Sequence, residues 1–225
     1  MADNDFNSEL PVNYEQKCAC ILVLDTSGSM GGEPINELNK GLRKFKAEIQ
    51  EDLTASNRLE IGIVTFNNNI DVVNTPQLVN EWNVPELVAG GTTKIVDGVN
   101  KALEVLDARK EWYKETGQKY YRPYVILMTD GVPDNDQNID ELVETVSAGV
   151  SKKQYNFWSF GVENADMDML KRISPSFTQK LKGTDFGTFF KWLSNSMSAI
   201  SNSKEGDKID IAPKTEDDNP FQLTV

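Results

Sequence analysis

Three short stretches carry the side chains best suited to chemistry. In "CACILVLDTSGSMGGEP" (18–34) an apolar run stops at Asp25, and Ser27 and Ser29 follow at alternate positions. "AGGTT" (89–93) sets Thr92 and Thr93 behind paired glycines, and "YVILMTDG" (124–131) ends a second apolar run just before Asp130. Alone, Asp25-Thr26-Ser27-Gly28-Ser29 admits four readings: a nucleophile, a phosphate cradle, a metal site, or a polar turn that caps a helix. A P-loop cradle needs a lysine and a glycine spacing that "GSMGG" lacks. A phosphatase-type site needs a second aspartate two residues after the first, where Ser27 stands. The chain has no histidine. Ser27 therefore lacks its commonest activating base, and nearly all zinc sites and every histidine-based triad are excluded.

Hydrophobic patterning shows which elements position these residues. "CACILVL" (18–24), "LEIGIVTF" (59–66), "YVILMTDG" and "YNFWSFGV" (155–162) read as buried strands. "IDVV" after "NNN" (67–69) is expected as a short antiparallel edge strand, and a weak strand is expected over 177–181. Ile35, Leu38, Leu42, Phe45 and Ile49 recur at helical spacing, with Glu33 and Pro34 in a suitable first turn. Further helices are predicted over 94–110, from about 138, over 166–174, and from Phe186 to Ile200. Strands alternating with helices call for an α/β fold with a mainly parallel sheet and helices on both faces. Ligands of such sheets bind beyond the carboxyl ends of the strands. Asp25, Asp130 and the "GGTT" loop should meet there. Two carboxylates, two serine hydroxyls and a threonine hydroxyl are hard oxygen donors that favour Mg2+, Mn2+ or Ca2+ over zinc or copper.

Asp-x-Ser-x-Ser after a buried strand, then Gly-Gly-Thr, then Thr-Asp-Gly after a later strand together resemble the von Willebrand factor A domain and its metal-ion-dependent adhesion site. The resemblance spans roughly residues 17–200. "DTSGSMGGEPI", "LVAGGTTKI" and "VILMTDGVPD" look most like bacterial stand-alone domains of the tellurite-resistance type. It implies a Rossmann-like three-layer fold and a Mg2+ ion, with Mn2+ or Ca2+ as substitutes. Ser27 and Ser29 would ligate the ion directly, and Asp25 and Asp130 directly or through water. Matching the register of the following helix selects Thr93, with Thr92 as fallback. Neutral hydroxyl ligands leave the ion much of its charge, so a partner protein's Asp or Glu is expected to complete the shell. The implied function is a non-enzymatic, metal-dependent interaction module in a bacterial stress or tellurite-resistance system. The alternatives are an adaptor subunit of an ATPase or chelatase-like complex, and a metal-dependent hydrolase or phosphotransferase.

The rest of the chain bounds this reading. A net charge of −12 over 225 residues argues against nucleic acid or anionic membrane as partner. There is no apolar run of membrane-spanning length and no signal-peptide pattern at the N-terminus, so a cytoplasmic location is expected. Cys18 and Cys20 lie on one face of a strand, a poor geometry for a disulfide, and are expected as buried thiols. Residues 1–16 read as an extension, 17–202 as the domain and 203–225 as an acidic, flexible or partner-docked tail. Glu216, Asp217 and Asp218 of that tail are candidate carboxylates for a neighbour's metal. "DNDQNIDEL" (134–142) fails as a calcium loop, because Ile139 stands where a glycine belongs, and reads as a helix-capping surface loop. Trp158 and Trp192 read as core. Trp82 is the candidate for an exposed partner contact, and "EWYKETGQKYYRPY" (111–124) reads as a solvated helix end and loop with a secondary tyrosine surface. The oligomeric state is open.

Overall fold

The computed structural model describes residues 13–203, 209, 211 and 219–221. Six strands form one sheet: β1 (Cys18–Asp25), β2 (Leu59–Phe66), β3 (Ile70–Leu78), β4 (Tyr124–Thr129), β5 (Asn156–Gly161) and β6 (Thr178–Lys180). Their order is β3-β2-β1-β4-β5-β6. All neighbours run parallel except β2 and β3. This is the α/β fold with one antiparallel edge strand that the patterning predicts. β3 is longer than the expected "IDVV", because Asn74 Nδ2 donates to the Ile61 carbonyl and carries pairing past the register shifts.

Among the described residues six α-helices cover the sheet: α1 (Glu33–Glu51), α2 (Leu53–Arg58), α3 (Ile95–Glu115), α4 (Ile139–Ser151), α5 (Met167–Ile173) and α6 (Phe186–Asn202). The alternation of β1 sorts them. Cys18, Cys20, Leu22 and Leu24 face a core shared with α1 and α6, while Ala19, Ile21 and Val23 face the core under α3, α4 and α5. A central strand covered on both sides must be apolar at every position, which is why "CACILVL" shows no alternation. α1 and α6 approach closely because Gly41 lacks a Cβ, which would lie 2.4 Å from the Phe190 ring. The patterning assigns no element to "LTASNR"; it forms α2 because Asp52 caps it, accepting from the Thr54 and Ala55 amides.

Two expectations are corrected here. Trp82 is fully buried. After β3 the chain turns back, with the Trp82 amide donating to Leu78 and Val79 carbonyls, and the indole meets Phe45 of α1 edge-on at 6.3 Å. Residues 111–115 are the last turn of α3, a helix end solvated at Glu111, Lys114 and Glu115 but not throughout. There Trp112 and Tyr113 are buried, and Tyr113 donates to Glu60. The other tyrosines are also spent internally: Tyr120 stacks on Tyr113 at 4.8 Å, and Tyr124 meets Trp158 edge-on. Trp158 and Trp192 are core, and both cysteines are buried free thiols. No helix among the described residues is long and apolar enough to cross a membrane. The tail carboxylates Glu216, Asp217 and Asp218 lie outside the described residues.

Candidate functional site

Strand order reverses around β1: the chain passes from β1 to β2 on one side and reaches β4 on the other. The carboxyl ends of β1 and β4 therefore flank the crevice of a doubly wound sheet. Leu24 is paired with Met128, so Asp25 and Thr129-Asp130 emerge side by side. This register brings residues 101 and 104 positions apart in sequence into contact.

Asp25 is fully buried. Its Oδ1 accepts the Ser27 amide at 2.8 Å, and its Oδ2 accepts the Thr129 hydroxyl. The Ser27 and Ser29 hydroxyl oxygens are 3.0 Å apart, and the Ser29 hydroxyl donates to Asp130 Oδ1 at 2.8 Å. Four of the five predicted residues thus form one hydrogen-bonded chain. Thr93 completes the group. A Cβ built on Gly131 would lie 3.2 Å from Thr93 Oγ1 and 3.5 Å from Asp25 Oδ2, so these two oxygens face the same small space. Thr93 is buried, whereas Thr92 is exposed. Ser27 and Asp130 are also buried, and Ser29 is exposed, so the cluster opens to solvent at Ser29.

The threonine loop is fixed from three sides. Gly90 and Gly91 pair with the first loop, through Gly90 N to Thr26 O at 2.8 Å and Gly28 N to Gly91 O at 3.0 Å. Gly91 has φ +83°, and a Cβ there would sit 1.9 Å from Asn68 Oδ1, so only glycine fits. Asp134 holds Thr93 at both backbone groups: its Oδ1 accepts the Thr93 amide at 3.2 Å and its amide donates to the Thr93 carbonyl at 3.0 Å. Gln137 Oε1 accepts the Val96 amide at 2.9 Å, tying in the start of α3. The loop read as a helix cap therefore does cap α4, through Asn138, and also positions the threonine.

Two supporting residues escaped the sequence reading. Thr129 binds the Asp25 carboxylate, and Asn67 Nδ2 reaches the Thr26 hydroxyl at 3.3 Å. Both adjoin motifs that were read, but no spacing rule marks a residue that supports rather than forms a site.

The electrostatics are unusual for a turn. Burial pushes Asp25 up to about 6, opposed by the hydrogen bonds from Ser27 and Thr129 and assisted by the like charge of Asp130. Burial raises Asp130 as well. Neither carboxylate forms an ion pair among the described residues, whose salt bridges lie elsewhere. No three His, Cys, Asp or Glu side chains come together among the described residues, so any cation here has to be held by hydroxyls as much as by carboxylates. The donor set, oxygen throughout and compact, suits a hard divalent cation.

Several solved structures share the fold. The pilus adhesin SpaC from Lactobacillus rhamnosus GG, in its open conformation, superposes with a TM-score of 0.67 at 14% identity, over 85% of this chain and 31% of that one. The vWF domain of the type V pili tip protein Mfa5 from Porphyromonas gingivalis superposes at 0.60 with 10% identity, over 87% and 99%. The PilB minor pilin from Streptococcus sanguinis gives 0.58 at 13% identity, over 84% and 63%. The chain thus spans about a third of the SpaC adhesin's length. No curated protein matches the chain in sequence. The profile of the von Willebrand factor type A domain matches residues 20–191, and the chain belongs to that family.

Proposed function

We propose that this chain is a metal-dependent protein-interaction module whose ion, Mg2+ by the hardness of the donors, is held by Asp25, Ser27, Ser29, Thr93 and Asp130. A Mg2+ ion there would supply a Lewis-acidic centre able to accept one further oxygen ligand. The residues of the chain do the rest. Asp25 and Asp130 provide charge, the three hydroxyls provide neutral donors that leave the ion electron-poor, and Thr129 and Asp134 fix the arrangement. The supporting observation is the pair of buried carboxylates joined through Ser27 and Ser29; neither carboxylate forms an ion pair with a side chain among the described residues. Burying like charges is costly unless something neutralises them.

The ligand we assign is an Asp or Glu carboxylate of a partner protein. Exposed Val88 and Val132 stand beside the threonine loop and just past Asp130, offering apolar contact around such a carboxylate. A non-enzymatic role accords with the chemistry, since the chain has no histidine, the commonest activating base for a serine. The likeness of the three motifs to tellurite-resistance domains supports a bacterial stress setting. The two buried, unpaired thiols accord with the reducing cytoplasm. The test is a pull-down in Mg2+ and in EDTA, with Asp25→Ala as control. Partners lost in both EDTA and the variant support metal-bridged recognition. Partners retained in both refute it.

A further inference from the structure

The far edge of the sheet, away from the metal-site loops, carries a second candidate site. Beyond β6 the chain's own residues Asn219, Pro220 and Phe221 lie against it. Phe221 forms an antiparallel bridge with Leu181, and the Lys182 amide donates to the Pro220 carbonyl at 2.8 Å. Asn219 Oδ1 accepts the Phe221 amide at 3.0 Å, folding the segment into a tight turn. The Phe221 ring is buried, stacked on Phe160 at 5.7 Å and edge-on to Trp192 at 5.0 Å.

That ring packs into an aromatic cluster whose other members also contact one another. Trp192 stacks on Phe177 at 6.0 Å, Phe160 meets Phe189 edge-on at 4.8 Å, and Trp192 also lies 5.7 Å from Phe160. The cleft around Phe221 is thus framed by β5, α6 and the segment before β6. Beside it runs the three-residue strand that ends the sheet order, and a sheet edge is the usual place for an added peptide strand.

We propose that this cleft is a peptide-recognition site and that Asn219–Phe221 is its ligand in cis: a detachable strap, holding the site closed until a protein segment with the same Asn-Pro-Phe chemistry displaces it. Its contacts are those of a bound peptide. Among the described residues one aromatic side chain is anchored, the Leu181–Phe221 pair extends the sheet, the Lys182 amide bonds the flanking Pro220, and Trp192 Nε1 donates to the Ile211 carbonyl at 2.7 Å. Against them stands the entropy of ordering the segment, so the balance permits exchange. The proposal is independent of any metal.

The test uses the full chain carrying Phe221→Ala as acceptor, and a fluorescent peptide of residues 215–225 as ligand, followed by anisotropy. The peptide is expected to bind the Phe221→Ala chain in the micromolar range. It should bind the unaltered chain at least tenfold more weakly, because the strap competes at high effective concentration. A peptide itself carrying Phe221→Ala should lose at least about a hundredfold in affinity, the equivalent of one buried ring. A folded Phe221→Ala chain that binds both peptides equally overturns the proposal. So does equal binding to the altered and unaltered chains. If Phe221→Ala unfolds the protein, a chain ending at Asp218 is tested in the same way. Failure of both to fold shows the segment to be core and overturns the proposal too.

Discussion

Replacing Asp25 by asparagine should separate what the carboxylate does for a metal from what it costs the fold. Asp25 is fully exposed to water in the unfolded chain and fully buried in the folded one. Burial first, then the neighbouring Asp130 charge, raise it from an ordinary 3.8 to about 6, even with the Ser27 and Thr129 hydrogen bonds in place. At neutral pH that difference amounts to about 3 kcal/mol against the folded state. The sign follows from proton uptake. Between 3.8 and about 6 the folded chain holds this proton more tightly than the unfolded chain, so metal-free stability falls as pH rises through that window. Asp25→Asn removes the charge and keeps one acceptor for the Ser27 amide, while Thr129 turns its hydroxyl to accept from the new amide. Some of the gain is lost to that rearrangement. For a domain of this size each kcal/mol moves the melting temperature by about 2–4 °C. We therefore expect the metal-free Asp25→Asn protein to melt between 0 and about 8 °C above the parent at pH 7.5, with a flatter pH profile. In Mg2+ at a hundred times its dissociation constant the parent should gain about 2.7 kcal/mol, or about 5–10 °C, and the variant nothing. Differential scanning calorimetry in EDTA and in Mg2+ reads both effects. A variant that melts more than 3 °C below the parent without metal would show that the carboxylate serves the fold. One that keeps the full Mg2+ shift would remove Asp25 from the site.

Gly91→Ala forces a side chain into φ +83° and onto Asn68, which should cost about 1–3 kcal/mol and weaken Mg2+ binding by displacing the threonine loop; isothermal titration reads the second effect. Arg109 makes a two-nitrogen contact with Glu60, at 2.7 and 2.8 Å, with both side chains almost fully buried. Arg109→Leu leaves that carboxylate unpaired and should destabilise the chain by about 3–5 kcal/mol in urea titrations, without changing metal affinity relative to the folded fraction. Burial pushes the Cys18 thiol up to about 12, so neither cysteine should react with iodoacetamide at pH 8 until denaturant unfolds the chain, as mass spectrometry would register.

How legible was this in the sequence? The alternation of strands and helices, and with it a mainly parallel sheet, was legible because β1, β2, β4 and β5 are largely apolar runs bounded by polar loops. The site was legible for a related reason. A buried strand tolerates an aspartate most readily at its ends, and Asp25 and Asp130 both stand at the carboxyl end, where ligands of such sheets bind. Choosing Thr93 over Thr92 rested on the helix register, and burial now separates the two. The errors share a cause. Trp82 and residues 111–115 were read by local polarity, Trp82 among "VNEWNVP" and Trp112-Tyr113 among charged neighbours. Their burial depends on partners far away in sequence, Phe45 for the one and Glu60 for the other. The Asn-Pro-Phe strap was hidden for the same reason: within a polar tail a single phenylalanine has no period.

The cost of the site also constrains how it can work. If the metal-free state already carries about 3 kcal/mol of desolvated charge at Asp25, part of the ion's binding energy goes to neutralising that charge. On the proposed reading the hydroxyls of Ser27, Ser29 and Thr93 add no charge, so two carboxylates would just balance a divalent ion, and a third would bind through an open coordination position rather than through excess charge. Replacing Ser29 by aspartate tests this directly. The position is exposed and its hydroxyl already reaches Asp130 at 2.8 Å, so Ser29→Asp adds a third carboxylate at the rim. It should tighten Mg2+ binding while weakening any partner whose carboxylate would otherwise fill the shell. Tighter Mg2+ binding with undiminished partner capture would mean that the partner does not bind through the ion.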